Sequence, residues 1–553
     1  MTTFVRKSRG CGTWLIRPAM HLLTYACAAL LSGCADWARS DADRSVNRAL
    51  RTYESRTLAD RADWVRQPRE TPPPASQPTS AASLAETSEP GAPTTASAKP
   101  RLLDLRDSLR TAFENGREYK TERESLYLAG LNYTFAQYTF GPILDSTIRY
   151  LWNYNEGTPN THSVNVPISV SQILPLGGTA SASASLNGVR TRGGEPESDN
   201  DFRWTSDMQV NLQQPLLRGA GYEASHEPLT QAERALIYAV RDFELFRQDY
   251  SIRVADAYYS IVRQRKQLEN DEQSYSDAVY DRQKADALRS LDRNKPDDVF
   301  QARRREIEAE NQVIAGRTRY KLALDEFKIL LGLPIEAPIS IGTDEPPYEP
   351  VNIESQSAVD VALHNRLDLH TRRDQVEDTR RRLRIARQDL LPQFDLTAEY
   401  GMSSLGGRAD DATPNQRRSS VGLALEVPLD RVPERNAYRE ALISLDRSER
   451  DLDQTEDRVR IDILNALREL TQFEKQIQLQ EDQIRSEQRA VAVMQIRVEA
   501  GDAQQRDLTE ARRSLTDAMN QLIDLKVQHF IARLRLKRNL GILFIDQNGM
   551  WMS

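Results

Sequence analysis

Residues able to do chemistry are present in this 553-residue chain, but few stand at a spacing that would use them. The three cysteines, Cys11, Cys27 and Cys34, all fall within the first 34 residues, so nothing downstream can form a disulfide or a thiolate metal site. The six histidines are scattered, and His364 with His370 is an i, i+6 pair that does not share a helical face, which argues against a metal centre. There is no Walker loop, no Rossmann glycine pattern and no G-x-S-x-G. Arg380, Arg381, Arg382, Arg384 and Arg387 could hold an anion. Asp374, Glu377 and Asp378 lie about one turn away, however, which predicts a solvated face held by i, i+4 pairs. The expectation is a protein without catalysis, metal or cofactor of its own. Any energy it uses must come from a partner. With 81 acidic against 74 basic side chains and a formal charge of −7, nucleic acid is not the expected partner.

The one cysteine in a telling context is Cys34. Arg6, Lys7, Arg9 and Arg17 precede the apolar run HLLTYACAALL, which ends in Leu31-Ser32-Gly33-Cys34. This is a basic n-region, a short h-region and small residues before a cut. The run from His21 to Leu31 is shorter than the roughly 20 residues of a spanning helix. The box resembles that of bacterial lipoproteins, which implies a signal peptide over 1–33 and a mature chain starting at Cys34, carrying an N-acyl group such as palmitate and an S-diacylglycerol. Ala35 is compatible with sorting to the outer membrane. Residues 34–100 are read as the acylated N-terminus and a tether, because Gln67 to Pro100 is rich in Pro, Ser, Thr and Ala and offers almost no apolar surface to offset ordering entropy. Between them, 35–66 carries Trp37, Tyr53 and Trp64 among many charges, enough for a short helix of no evident role.

The elements that position everything else repeat. Ala112-Phe113-Glu114-Asn115 matches Ala362-Leu363-His364-Asn365, Pro142 matches Pro392 and Tyr150 matches Tyr400, all at an offset of 250. Asp298-Val299 matches Asp507-Leu508, Ala302 matches Ala511 and Leu331-Gly332 matches Leu540-Gly541, all at 209. The two offsets differ by 41, so between Tyr150 and the next helix the first copy, 101–345, carries 41 residues more than the second, 346–553. Each copy reads helix, strands, very long helix, turn, helix. Leu445, Leu452, Val459, Ala466 and Phe473 recur every seven residues, with Leu442, Ile463, Leu470 and Ile477 between them, the pattern of a coiled-coil seam. Helices are predicted from about 226 to 291 and 434 to 500, with shorter ones at about 296 to 331 and 356 to 390.

Between the helices the period changes to two. Ile148, Tyr150, Trp152 and Tyr154, with Leu151 the exception; Val164, Val166, Ile168 and Val170; Met208, Val210 and Leu212; Phe394, Leu396, Ala398, Tyr400 and Met402; and Val421, Leu423, Leu425 and Val427 alternate mainly with small or polar residues. Segments of about 10 residues with one apolar face fit outer-membrane barrel strands, although an amphipathic sheet packed on helices alternates in the same way. Four to six strands are too few for a single-chain barrel of about eight, so in lipid several copies must share one.

In order and twice over, SLYLAGLNYTFAQYTFGP, VSQILPLGGTASASASL, QQPLLRGAG, NRLDL with ARQDLLPQFDL, PERNAYREAL, DRNKPDDVFQA and GDAQQRDLTEA resemble the TolC family of outer-membrane efflux and secretion channels, over roughly 101–545. The fold class implied is mainly α with a membrane β-barrel: two internal repeats, a trimeric helical periplasmic tunnel and a shared 12-stranded barrel. The resemblance also implies a periplasmic adaptor and an inner-membrane pump as partners and the outer membrane as location. It places Asp298, Asp507 and Glu510 at the tunnel's periplasmic aperture, where threefold symmetry makes rings of carboxylates. Gly501 fills the turn-glycine site in copy two and Asp292 in copy one. Ala503 and Val498 stand where well-studied members hold the closed state with an arginine and a tyrosine, so that latch does not carry over. The competing reading of the acids is helix capping. The added ILPLGGTASASASL segment looks like an extra hairpin whose entry into the barrel is open. The rival to a channel is a periplasmic adaptor, a coiled-coil lipoprotein with a single helical hairpin.

Overall fold

The computed structural model describes residues 40–53, 101–154, 160–192, 202–290, 296–342, 345–404, 407, 414–500, 502–546 and 549–551. Cys34, the signal segment and the 67–100 tether lie outside these residues. In chain order the elements are α1 (40–53), β1 (Arg101–Leu103), α2 (Leu105–Asn115), α3 (Arg117–Phe140), β2 (Ile143–Ser146), β3 (Arg149–Asn153), β4 (Asn160–Ile173), β5 (Thr179–Arg192), β6 (Arg203–Pro215), α4 (Tyr222–Ser290), α5 (Pro296–Leu330), β7 (Ile339–Ile341), α6 (Ser355–Asn365), α7 (Leu367–Gln388), β8 (Gln393–Ser403), β9 (Gln416–Glu426), α8 (Val432–Ala500) and α9 (Gln505–Asn539). The long helices α4 and α8 have 69 residues each, and α5 and α9 have 35 each.

The chain packs as two compact units that cut across the sequence copies. Among the described residues, one takes 40–53, 126–240 and 381–440; the other takes 101–125, 241–380 and 441 onward. The first holds β2–β6, β8 and β9. Its helical core is small: Tyr53, Tyr133 and Leu236 are buried with Ala49, Leu50 and Ala129 beside them. The helix of no evident role, α1, thus has a packing role. A Cβ on Gly130 of α3 would come within 2.7 Å of Val46 Cγ1, so the glycine is what lets α1 approach. The Tyr53 hydroxyl donates to Glu233 Oε1 at 2.8 Å, and Tyr127 donates to Asp43.

The second unit has two cores of different character. One is aromatic, with Tyr250, Tyr258 and Phe327 buried among Leu103, Leu109, Phe113, Leu331 and Ile341, and includes the parallel pair β1–β7. The other is aliphatic: Ala358, Val359 and Ala362 of α6 meet Val459, Ile463 and Leu470 of α8, Leu536 of α9 and Leu540 at its C-terminal cap. The heptad residues Val459, Ile463, Leu470 and Ile477 form the buried stripe of α8.

The helix expected over 356–390 is two helices, α6 and α7. Arg366 between them is extended (φ −69, ψ 124) and largely buried, donating to Asp368 Oδ2 at 2.7 Å and Asp462 Oδ2 at 3.1 Å. A buried guanidinium bound at both ends fixes a break that helical periodicity cannot signal. The same break recurs 250 residues earlier at Gly116, where a Cβ would lie 2.1 Å from the Tyr250 hydroxyl oxygen. The constant offsets have a structural counterpart here. α5 and α9 each end in a left-handed glycine, Gly332 (φ 71) and Gly541 (φ 72). The Leu333 N–H donates to Lys328 O at 2.8 Å and the Ile542 N–H to Lys537 O at 3.0 Å, closing the same C-terminal cap. Gly332 sits on the Asn115 carbonyl and Gly541 on that of Asn365, the residues ending α2 and α6.

Candidate functional site

The strands of the first unit form one antiparallel sheet in the order β2/β3–β4–β5–β6–β8–β9. β2 and β3 occupy a single position, because Ile143↔Ser171 and Asn153↔Thr161 continue one register along β4. The ladder lapses only at 147 and 148, opposite Pro167, which has no N–H to give. Toward β5 the ladder of β4 is unbroken from Asn160 to Ile173. Among the described residues of this single chain the sheet is open: β3 is exposed along its length at one edge and β9 at the other.

Register assembles two faces of opposite chemistry. Across one face run the pairs Leu144↔Val170, Val170↔Ala182, Ala182↔Val210, Val210↔Tyr400, Ala398↔Val421 and Leu396↔Leu423. Much of it is bare: Trp152 is 62% exposed, Val421 78% and Leu423 65%. The opposite face carries Asn165, Asn187, Ser183, Gln209, Asn211 and Glu399, and its side chains bond one another. Asn165 donates to Asn187, Gln209 to Asn211 Oδ1 at 2.9 Å, Gln393 to Asp395 Oδ2 at 2.7 Å, and Arg418 to Glu399 Oε1 at 2.6 Å. An exposed apolar band beside a self-satisfied polar face is a poor solution in water and a good one between lipid and an aqueous lumen.

In the second unit, Asp298 and Asp507 occupy the third position of the equal-length helices α5 and α9. Asp507 is half-buried and caps: its Oδ2 accepts the Gln504 N–H at 3.2 Å, and Arg506 Nε lies 3.7 Å from Oδ1. Glu510 is exposed one turn on. Its counterpart in α5 is Gln301, so only the first acid recurs between the copies. Sequence reading missed Asp281 of α4, which is buried. It accepts from Thr509 Oγ1 at 3.3 Å, and its charge with that of Glu510 bears on the half-buried Arg305. Burial pulls the Arg305 guanidinium below the usual arginine range, and the two carboxylates only partly offset this. Toward the other end of the α4–α9 contact, Arg512 lies 3.7 Å from Asp277, Asn270 donates to Asn520, and Arg263 pairs with Asp524. These polar contacts fall seven residues apart on α4, at 263, 270 and 277. Over this stretch the α4–α9 seam carries polar pairs where α8 uses valine, isoleucine and leucine.

The arginine run on α7 is not the face of i, i+4 pairs that its charges predicted. Arg381 reaches Glu227 Oε2 of α4 at 3.0 Å, Arg382 reaches Gln231 Oε1 at 2.9 Å, and Arg384 pairs with Glu223. Arg380 bonds Glu377 three residues back at 2.6 Å and Glu449 of α8 at 2.8 Å. Asp374 pairs instead with Arg241, at 2.7 Å. A guanidinium can bind two carboxylates at once, so Arg380 keeps Glu377 while adding Glu449, and its neighbours reach partners on α4.

Residues 358–542 match the family described as outer membrane efflux protein. Over 370 residues the chain is 28% identical to the alkaline protease secretion protein AprF of Pseudomonas aeruginosa, spanning 64% of this chain and 73% of that protein. Its fold is that of two solved outer-membrane proteins. The channel OprN aligns with a TM-score of 0.60 at 15% identity, over 79% of this chain and 89% of its own. VceC from Vibrio cholerae aligns with a TM-score of 0.60 at 15% identity, over 79% and 96%.

Proposed function

We propose that this chain, which belongs to the outer-membrane efflux protein family, is the outer-membrane channel of a tripartite efflux or secretion system. It is a passive conduit from periplasm to exterior with no catalysis of its own. Three copies form it, each contributing strands to a shared barrel and helices to a periplasmic tunnel. A periplasmic adaptor and an inner-membrane pump deliver substrate, and Cys34, acylated on its amine and thiol, adds a lipid anchor. The observation that carries this reading is the sheet, which has one bare apolar face, one hydrogen-bonded polar face and two unpaired edges. Unpaired edges are not tolerated in hydrocarbon, so the sheet must close against further copies. The matched lengths of α4 with α8 and of α5 with α9 support two structural copies, 101–345 and 346–553. Two helical pairs and a single large sheet also speak against the adaptor, which needs one hairpin.

At the tunnel end, Asp298, Asp507 and Glu510 narrow the aperture as rings of three. Carboxylates brought to about 4 Å repel by roughly 1 to 4 kcal/mol per pair, depending on the effective dielectric, so such rings draw in cations. Capping by Asp507 is compatible with this role. The experiment is planar-bilayer recording of the purified protein and of a variant with Asp507→Asn and Glu510→Gln. Discrete conductance steps, with cation selectivity and multivalent-cation block reduced in the variant, are expected. Absence of any conductance from protein extracted from the outer membrane would sink the channel reading. Unchanged selectivity with a lowered melting temperature would leave these acids as caps alone.

A further inference from the structure

The added segment of the first copy is where this chain departs from the barrel its resemblance implies, and the sheet register gives it a place. We propose that the β4–β5 hairpin is part of the barrel wall, so that each copy supplies six strands and the trimer closes eighteen instead of twelve. The inference rests on the channel reading above.

Three observations carry it. First, β4 and β5 do not flank the sheet but lie inside its order, between β2/β3 and β6, with β5 paired to β6 over eleven positions from Thr179↔Gln213 to Val189↔Arg203. Removing them would leave β2/β3 without a neighbour. Second, the hairpin continues both faces. Val166, Ile168, Val170, Ala182, Ala184 and Leu186 extend the apolar face, while Ser169, Ser181, Ser183 and Ser185 extend the polar one. A flap lying over the outside of the barrel would need no such alternation, and a plug would bury its apolar side inside the lumen. Third, six antiparallel positions are an even number. The last strand, β9, therefore runs opposite to the first strand of the next copy, as antiparallel closure demands.

The height also fits. From Trp204, whose ring covers Gly188 on β5, to Gln214 the strand rises about 34 Å, or about 26 Å along the membrane normal at a tilt of ~40°. That is close to the apolar band of roughly 25 Å that such barrels show. At a strand spacing of ~4.8 Å and that tilt, eighteen strands give a backbone radius of about 18 Å, against about 12 Å for twelve. With serines on its inner face the wider barrel does not limit cargo size. Selection falls to the tunnel.

The chain has no cysteine after Cys34, so single substitutions report cleanly over the baseline of the unsubstituted protein. Whole cells would be treated with a membrane-impermeant maleimide and, separately, with a lipid-partitioning one. Ser169→Cys, Ser183→Cys and Ser185→Cys should label with the impermeant reagent. Ile168→Cys, Ala182→Cys and Ala184→Cys should lose that labelling and react with the lipid-partitioning one. Ser420→Cys and Val421→Cys on β9 serve as controls, and the mass of the undissociated oligomer should be that of three chains. Alternation on β9 with uniform impermeant labelling of the hairpin would overturn the wide wall and leave the channel intact. No alternation at either place would overturn both. An oligomer of two chains would also refute it, because six strands per copy would then close twelve.

Discussion

Gly332→Ala tests the account of why the two copies end their short helices alike. At φ 71 an L-residue costs about 1 to 2 kcal/mol. The new Cβ would also stand 2.2 Å from the Asn115 carbonyl oxygen and 2.6 Å from its carbon, backbone atoms that cannot swing aside. Forced displacement in a packed region adds about 1 to 3 kcal/mol, for a total of roughly 2 to 5 kcal/mol. Gly219 isolates the first contribution, since it has φ 74 and nothing within 4 Å of a built Cβ. Gly219→Ala should therefore cost only about 1 to 2 kcal/mol. The assay is urea unfolding of the detergent-solubilised protein followed by far-UV circular dichroism, with Gly541→Ala as a third variant. Its Cβ would meet the Asn365 oxygen at 2.7 Å, so its loss should fall between the other two. The close-approach argument is refuted if Gly332→Ala lowers the midpoint no more than Gly219→Ala does.

Three further expectations concern other parts of the chain. His529 is buried, and burial pushes its imidazole below the ordinary value, the Glu474 carboxylate at 3.7 Å only partly restoring it. A depressed base means the unfolded chain takes up a proton first as pH falls below about 6.5, so folded stability is lost from there downward. His529→Gln should flatten the fall in urea midpoint between pH 7.5 and 5.5, and an unchanged pH slope would exclude His529 as its source. At the N-terminus, Cys34→Ala should abolish palmitate incorporation, while any chain still processed should reach the outer membrane all the same; continued incorporation would reject acylation at that residue. In the same variant, Tyr53→Phe, which removes the hydroxyl donated to Glu233, should cost about 1 to 3 kcal/mol in thermal unfolding, and no shift would deny α1 a packing role.

What the sequence determines by itself is periodic or local. A seven-residue apolar repeat needs only a helix to become the buried stripe of Val459, Ile463, Leu470 and Ile477, and an alternating run needs only extension to sort Val210 from Asn211 onto opposite faces. Constant offsets also fix which positions correspond, which is why Gly332 and Gly541 could be paired before their shared contact was known. What the tertiary structure decided are contacts between residues far apart in the chain, for which periodicity carries no signal. Arg366 breaks a helix because Asp462 waits on α8, and the α7 arginines reach across to Glu223, Glu227 and Glu449, Arg380 keeping Glu377 as well. Gly130 is small because Val46, distant in sequence, lies against it, and Asp281 became visible only once Thr509 was brought beside it. The same holds for the added hairpin. Alternation made β4 and β5 strands, but only pairing with β2/β3 on one side and β6 on the other could put them inside the sheet, since a ladder is a relation between segments and not a property of either one.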